Sequence, residues 1–341
     1  VMGVGDFMAN PVLVEVMRGG VVESAHRGAV SVFDADGRPV WEIGNTAHPV
    51  FPRSAVKAIQ ALPLVESGAA DAFGFGNREL ALACSSHSGE AEHAGLASAM
   101  LGKAGLDKAA LECGTHWPMD HNATVALARA GGAPNPLHNN CSGKHAGFLC
   151  TCIHSGIAHA GYVKAGHALQ DMVRDAMQSV TGAAHGVDHC GTDGCSIPTY
   201  AVPLRSFALG FARMATGRDF SPGRAKAAKR LLSACMAEPF LVAGTGRADV
   251  ALMQSAPGRI FVKTGAEGVY CAALPEFGFG IALKADDGAG RAAEVMISAV
   301  LAKLLRPDQA LAARLTRLAN LPIQSRVGAK VGSLRPTAAL N

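Results

Sequence analysis

Two short strings in this chain pair a hydroxyl with an amine. In Phe51-Pro52-Arg53-Ser54-Ala55-Val56-Lys57 a proline break is followed by the start of a helix, with Ser54 and Lys57 three residues apart. On a helix that spacing stacks the two side chains on one face, so the lysine amine reaches the serine hydroxyl, and the helix N-terminus favours negative charge developing there. A lysine is a base near neutrality only when its pKa falls from about 10.4, which burial and a neighbouring cation bring about. Because Ser-x-x-Lys arises by chance roughly once in a chain of this size, the string needs a partner. Lys263-Thr264-Gly265 ends an apolar strand. By itself it reads as a strand running into a turn with a solvated lysine. Set beside the first string, it supplies a second cation that depresses the dyad lysine and attracts a substrate carboxylate, with Thr264, Gly265 and nearby backbone amides as candidate hydrogen-bonding contacts.

Ser-x-x-Lys early, a helical stretch, then K-T-G on a strand before a terminal helix is the order of serine β-lactamases and penicillin-binding proteins. Three further polar strings stand out in an otherwise apolar chain. Ala83-Cys84-Ser85-Ser86-His87-Ser88-Gly89-Glu90 reads locally as a helix cap, or as a second hydroxyl, Ser86, in the same cleft. His138-Asn139-Asn140-Cys141-Ser142-Gly143-Lys144-His145 is not a phosphate-binding loop, since His145 replaces the required Ser or Thr and the upstream glycine is missing. Gly191-Thr192-Asp193-Gly194-Cys195-Ser196-Ile197-Pro198 is a tight polar turn. Spacing alone does not join its Cys195 to Cys141 as a metal site.

The elements that must position these strings follow from hydrophobic period. From Pro11, the runs VLVEV, VVES, GAVSVFD and PVWEIG, with a turn at Asp36-Gly37, predict an antiparallel meander. RIFVKTG, VYCAALP and FGFGIALKADDG repeat that grammar near the other end, before a helix over Arg291 to Leu305. Between them, alanine-rich segments with helical period and glycine terminators predict helices. The expected plan is α+β: a sheet lobe from about 11–57 plus 254–341, a mostly helical lobe from about 58–253, and a cleft where they meet.

Composition narrows the function. Of 341 residues, 49% are hydrophobic and 17% charged, so the chain folds around a large core. The net charge of +4 comes without a basic stripe interleaved with aromatics, which speaks against a nucleic-acid partner. The acid- and base-free stretch from His145 to Val163 holds three histidines and is too polar for a bilayer. Val1 to Pro11 shows no basic leader pattern, and nine cysteines lie scattered without a C-x-x-C pair. The expectation is a cytoplasmic protein with mostly reduced, buried cysteines, and the low charge favours a homodimer.

Taken together, FPRSAVK, ACSSHSGE, HNNCSGKHAGF, GTDGCSIPTY, AGTGR, VKTGAEGVY and ALKADDG resemble the Rhizobium-type, or class 3, L-asparaginases, in order and over most of the chain, from about Asn10 to Leu305. The resemblance implies a fold similar to serine β-lactamases and glutaminases, and hydrolysis of L-asparagine to L-aspartate and ammonia. It implies two Ser-Lys pairs, which fall here on Ser54 with Lys57 and on Ser86 with Lys263. It also implies a zinc site whose ligands fall on Cys141, Lys144 and Cys195, with Asp193 beside the metal or reaching it through water. Asp249 stands in a stretch where relatives carry a cysteine, so no thiol role is expected there. The expected mechanism is acyl transfer with Ser54 attacking, Lys57 as its base, backbone amides near Ser54 and the sheet edge holding the oxyanion, and the second pair relaying protons. Arg53, Glu267 and the zinc site are the candidate partners for the substrate's α-carboxylate and α-ammonium. The rivals are a penicillin-recognising serine hydrolase or esterase, for which no S-D-N string is present, and a non-catalytic ligand sensor on the same fold.

Overall fold

The computed structural model describes residues 9–340; residues 1–8, where most of the stretch read for a leader lies, and residue 341 are outside the described residues. Twelve strands are described: β1 (Val12–Arg18), β2 (Val21–Phe33), β3 (Pro39–Ile43), β4 (Pro49–Val50), β5 (Cys190–Thr192), β6 (Pro198–Tyr200), β7 (Val202–Pro203), β8 (Phe261–Thr264), β9 (Val269–Leu274), β10 (Phe279–Ala285), β11 (Leu321–Gln324) and β12 (Lys330–Pro336). Eight of them form one sheet in the order β11-β12-β1-β2-β10-β9-β8, with β3 also paired to β2. Every pairing is antiparallel. The fold class is therefore α+β, with the sheet drawn from both chain ends and a mostly helical segment inserted between them.

The sheet departs from the predicted meander in two places. The runs VVES and GAVSVFD are one strand, β2, whose first half pairs β1 and whose second half, from Gly28, pairs β10 and β3. The change of partner needs Gly28, because a β-carbon there would fall 2.3 Å from the Lys284 carbonyl oxygen. Strands β11 and β12 extend the far edge and were not read from the sequence. Their runs LPIQ and KVGSLRP lack clean alternation, and it is pairing with β1 that makes β12 a strand.

Helix Leu204–Thr216 covers one face of the sheet against β2, β9 and β10, and helix Gly290–Leu304 covers the other. The first lies so close that a β-carbon on Gly280 would meet its backbone at Ala208 O. Its buried stripe of Leu204, Phe207, Ala208, Phe211 and Met214 has the period of a core-facing helix. One hydrophobic cluster accordingly runs through both sheet and helices, from Leu13 to Leu340. The two-lobe division is thus less clean than composition suggests. Helix Leu204–Thr216 belongs to the inserted segment yet packs on the sheet, and the boundary expected after Met253 falls inside helix Ala248–Ser255. Among the described residues, no helix is long and apolar enough to cross a membrane.

Candidate active site

Pro52 leads not into an α-helix but into a 3-10 turn, Arg53–Val56, followed by a short helix, Lys57–Gln60. Arg53 has φ of 50°, a left-handed conformation rare outside glycine and typical of strained functional positions. Lys57 is wholly buried. Its Nζ donates to Ser85 O at 2.5 Å, to Ser86 Oγ at 2.9 Å and to Cys141 Sγ at 3.1 Å. The expected pairing of Lys57 with Ser54 is therefore replaced by a pairing with Ser86. An ammonium has three N–H donors, and in a dry interior all three take acceptors. The acceptors lie on the neighbouring segments, while the Ser54 hydroxyl is half-buried and makes no hydrogen bond among the described residues.

Ser86 is presented by an extended strap after helix Asn77–Ala83. The strap is bonded from both sides, with Ser86 N donating to Val242 O at 3.0 Å and His87 N to Asn140 O at 3.1 Å. His87 is buried, accepts from Gly89 N at its Nδ1, and so carries its proton on Nε2, which donates to Ser142 Oγ at 2.9 Å. Burial pushes its pKa well below the usual imidazole value, so it serves as a neutral strut. The local capping reading does not hold. Ser88 Oγ donates to Ala243 O, and Glu90 accepts from the Thr245 amide and hydroxyl at 2.8 and 2.7 Å.

Lys263 is buried at the end of β8, its Nζ donating to Thr264 O at 2.8 Å. It is not hydrogen-bonded to Ser86, the partner assigned by resemblance. Burial pulls its pKa down to about 7, with Lys57 and Arg247 pushing the same way and Asp249 opposing them. Gly265 explains how β8 reaches the Ser54 turn, since a β-carbon there would fall 2.6 Å from Pro52 O. The amides expected to hold an oxyanion are already engaged: Ala55 N with Pro52 O, Thr264 N with Asp249, and Gly265 N with Val269 O. Sequence reasoning treated Asp249 as a missing thiol and overlooked its carboxylate. The available signal was a lone acid in the apolar run VALM.

The two cysteine strings do converge. Cys141 caps helix Ser142–His154, Lys144 lies in its first turn, and Cys195 sits on the turn between β5 and β6, all three buried. Lys144 Nζ stands 3.2 Å from Cys195 Sγ. Two ligands of a tetrahedral zinc, with Zn–S about 2.3 Å and Zn–N about 2.0 Å, stand roughly 3.5 Å apart, so this donor set fits zinc with little movement. A hydrogen bond from Cys195, together with Lys57 and Lys144, holds the Cys141 thiol well below its usual pKa against the cost of burial. Elsewhere burial, helped by a neighbouring cysteine, pushes Cys113 and Cys150 up to about 12. Asp193 is turned toward Arg53, whose Nε donates to its Oδ1 at 2.7 Å, and among the described residues no group of three or more His, Cys, Asp or Glu side chains is arranged to hold a metal. The set that fits is two thiols and an amine, with Asp193 at its edge.

Arg53 and Glu267 line one cavity of about 630 Å³ together with Asn45, His48, Phe51 and Lys284. Glu267, with φ of 58°, is the second left-handed residue on that rim. Among the described residues the Arg53 Nη groups and the Glu267 carboxylate have no hydrogen-bond partner, which leaves both signs of charge open to a ligand. Thr264 does not line this cavity, and its hydroxyl points back to Gly265 O at 3.5 Å.

The sequence model of the L-asparaginase II family matches residues 14–336. No curated protein matches the chain. Among solved structures, a protein named Mglu is similar at 15% identity over 89% of this chain and 72% of its own, with a TM-score of 0.45. D-alanine carboxypeptidase AmpC from Burkholderia cenocepacia is similar at 15% identity over 84% of this chain and 92% of its own, with a TM-score of 0.39.

Proposed function

The chain belongs to the L-asparaginase II family, and from that premise we propose that it hydrolyses the side-chain amide of L-asparagine by acyl transfer through Ser86. The observation that carries the choice of serine is the 2.9 Å contact from Lys57 Nζ to Ser86 Oγ. By donating to that oxygen, Lys57 orients a lone pair and leaves the hydroxyl proton directed elsewhere. Lys263, with a pKa of about 7, is the amine suited to accept it. The Ser86 oxygen then bonds to the carboxamide carbon, and the carbonyl electron pair moves to oxygen. With the amides of Ala55, Thr264, Gly265 and Ser86 engaged in the protein, the charge of Lys57 is the nearby stabiliser of that oxyanion. Collapse breaks the C–N bond, the protonated Lys263 returns its proton to the departing ammonia, and water hydrolyses the acyl-serine. Ser54, whose hydroxyl has no hydrogen-bond partner among the described residues, is the second relay. The Arg53 Nη groups suit the substrate α-carboxylate and the Glu267 carboxylate suits the α-ammonium, both of which glutamine would present about a methylene out of place.

Cys141, Lys144 and Cys195 would hold a zinc ion. Bound there, the metal would supply positive charge and tie two segments together, the start of helix Ser142–His154 and the turn between β5 and β6. The test is ammonia release from L-asparagine and L-glutamine, with nitrocefin as the β-lactam control, by the wild type, Ser86→Ala and Ser54→Ala. Zinc is measured by elemental analysis on the same preparations. Asparagine turnover that falls at least 1000-fold in Ser86→Ala, with zinc retained, is the expected result. Loss confined to Ser54→Ala would return the attack to Ser54, and a folded wild type that releases no ammonia from asparagine would sink the reading.

A further inference from the structure

Asp249 has no part in the scheme above, yet it is a carboxylate with 1% of its surface exposed, directly behind the K-T-G strand. Both of its oxygens are used. Oδ1 accepts from Thr264 N at 2.8 Å, and Oδ2 accepts from Tyr270 OH at 2.6 Å. Tyr270 is itself buried on β9, directly opposite Thr264 in the β8–β9 ladder. The carboxylate is thus fixed between helix Ala248–Ser255 and two strands, with no freedom to turn toward water. A buried carboxylate costs several kcal/mol unless it is paired and hydrogen-bonded, and here the nearby cations are Arg247 and Lys263, whose amine is bonded to the carbonyl of the same Thr264.

We infer that Asp249 is a positioning residue for the reaction: its carboxylate pins the end of β8 at the Thr264 amide, is held in turn by Tyr270, and sets a fixed negative charge beside the Lys263 amine. This rests on the proposed role of Lys263. The groups that face that amine are Asp249 and Arg247 on helix Ala248–Ser255 and its N-cap, Lys57 on the helix after the Ser54 turn, Cys141 at the start of helix Ser142–His154, Cys271 on β9 and Cys235 on helix Pro222–Ala237. Asp249 is the carboxylate of that group. Burial, Lys57 and Arg247 all favour the neutral amine, and Asp249, followed by Cys141, opposes them. Without it, the lysine stays neutral to lower pH and its backbone anchor is weakened.

The experiment uses Asp249→Asn, which keeps an acceptor for Thr264 N and removes the charge. The acid limb of kcat/KM for L-asparagine should move down by about one pH unit or more relative to the wild type. A role confined to holding the strand would instead lower activity equally at every pH. An independent readout is the titration of lysine ε-carbons by NMR in protein labelled with 13C-lysine, with Lys263→Met to assign the resonance. The Lys263 signal should titrate about one unit lower in Asp249→Asn. A Lys263 titration unchanged by the substitution overturns the inference, whether or not the enzyme turns over asparagine. Absent turnover with a shifted lysine would instead count against the proposed function alone. Should Asp249→Asn fail to fold, Tyr270→Phe replaces it. That variant keeps the charge but frees one carboxylate oxygen, so kcat should fall about tenfold at unchanged KM with the acid limb in place, and wild-type kcat would overturn the positioning role.

Discussion

At the scale of residues, two wholly buried lysines, Lys57 and Lys263, differ in their surroundings. Lys57 meets three acceptors, while Lys263 meets one, the Thr264 carbonyl. A group that works as a base is active when deprotonated. With Lys263 drawn down to about 7, kcat/KM should climb tenfold per pH unit below that value and level off above it, which a pH–rate profile between 5 and 9 measures. Arg53 makes the complementary case. Its Nε is tied to Asp193, so Arg53→Ala loses both the charge proposed for the substrate headgroup and the brace on Asp193. The expected outcome is a KM raised at least tenfold with a smaller change in kcat, and an unchanged KM would remove Arg53 from the headgroup contacts.

At the scale of elements, close approach does what side-chain chemistry does not. Helix Ser142–His154 carries Cys141 and Lys144 toward Ser86 because Gly143 lets it lie against the end of helix Asn77–Ala83, where a β-carbon would fall 2.3 Å from Leu82 O. The obstacle is backbone, so it cannot swing aside. Gly143→Ala should therefore cost about 1–3 kcal/mol in urea unfolding and, by moving Lys144 and Cys141 away from the strap, lower turnover together with retention of the proposed zinc. Gly265 plays the same part where β8 meets Pro52 and Ala55. Substitutions at either glycine that left stability unchanged would show that these contacts are looser than the geometry states.

At the scale of the whole molecule, the continuous core takes in imidazoles that burial keeps neutral. The pKa values of His87, His93, His145 and His185 are all pushed down, with desolvation the first cause in each. The unfolded chain protonates its histidines near 6.5, before the folded chain does. Their contribution to stability is thus fully present above about pH 6.5 and is lost as pH falls below it. Asp193 and Asp287 are held below the usual carboxylate range, so their contribution is lost in a separate, more acid window, below about pH 4. The urea midpoint should accordingly drop between pH 7.5 and pH 5.5, ahead of the carboxylate titration. A midpoint constant over that interval would mean that the histidines gain protons without opening the core.

The sequence by itself determined the types of chemistry and the class of fold. Period-two runs at both ends and alanine-rich helical period between them are local signals, as are Ser-x-x-Lys, K-T-G and the two cysteine strings, because each depends on neighbours a few residues away. The seven strings in order carried the family likeness for the same reason. Which amine meets which hydroxyl was decided only by the tertiary structure. Lys57 and Ser54 are adjacent along the chain, but a buried ammonium goes to the acceptors that surround it, and those come from segments around 85 and 141. The merging of β2, the edge strands β11 and β12, and the bonding of Asp249 to Thr264 and Tyr270 were likewise invisible beforehand. Each depends on a partner far along the chain, and hydrogen-bond geometry and burial are properties of space rather than of spacing.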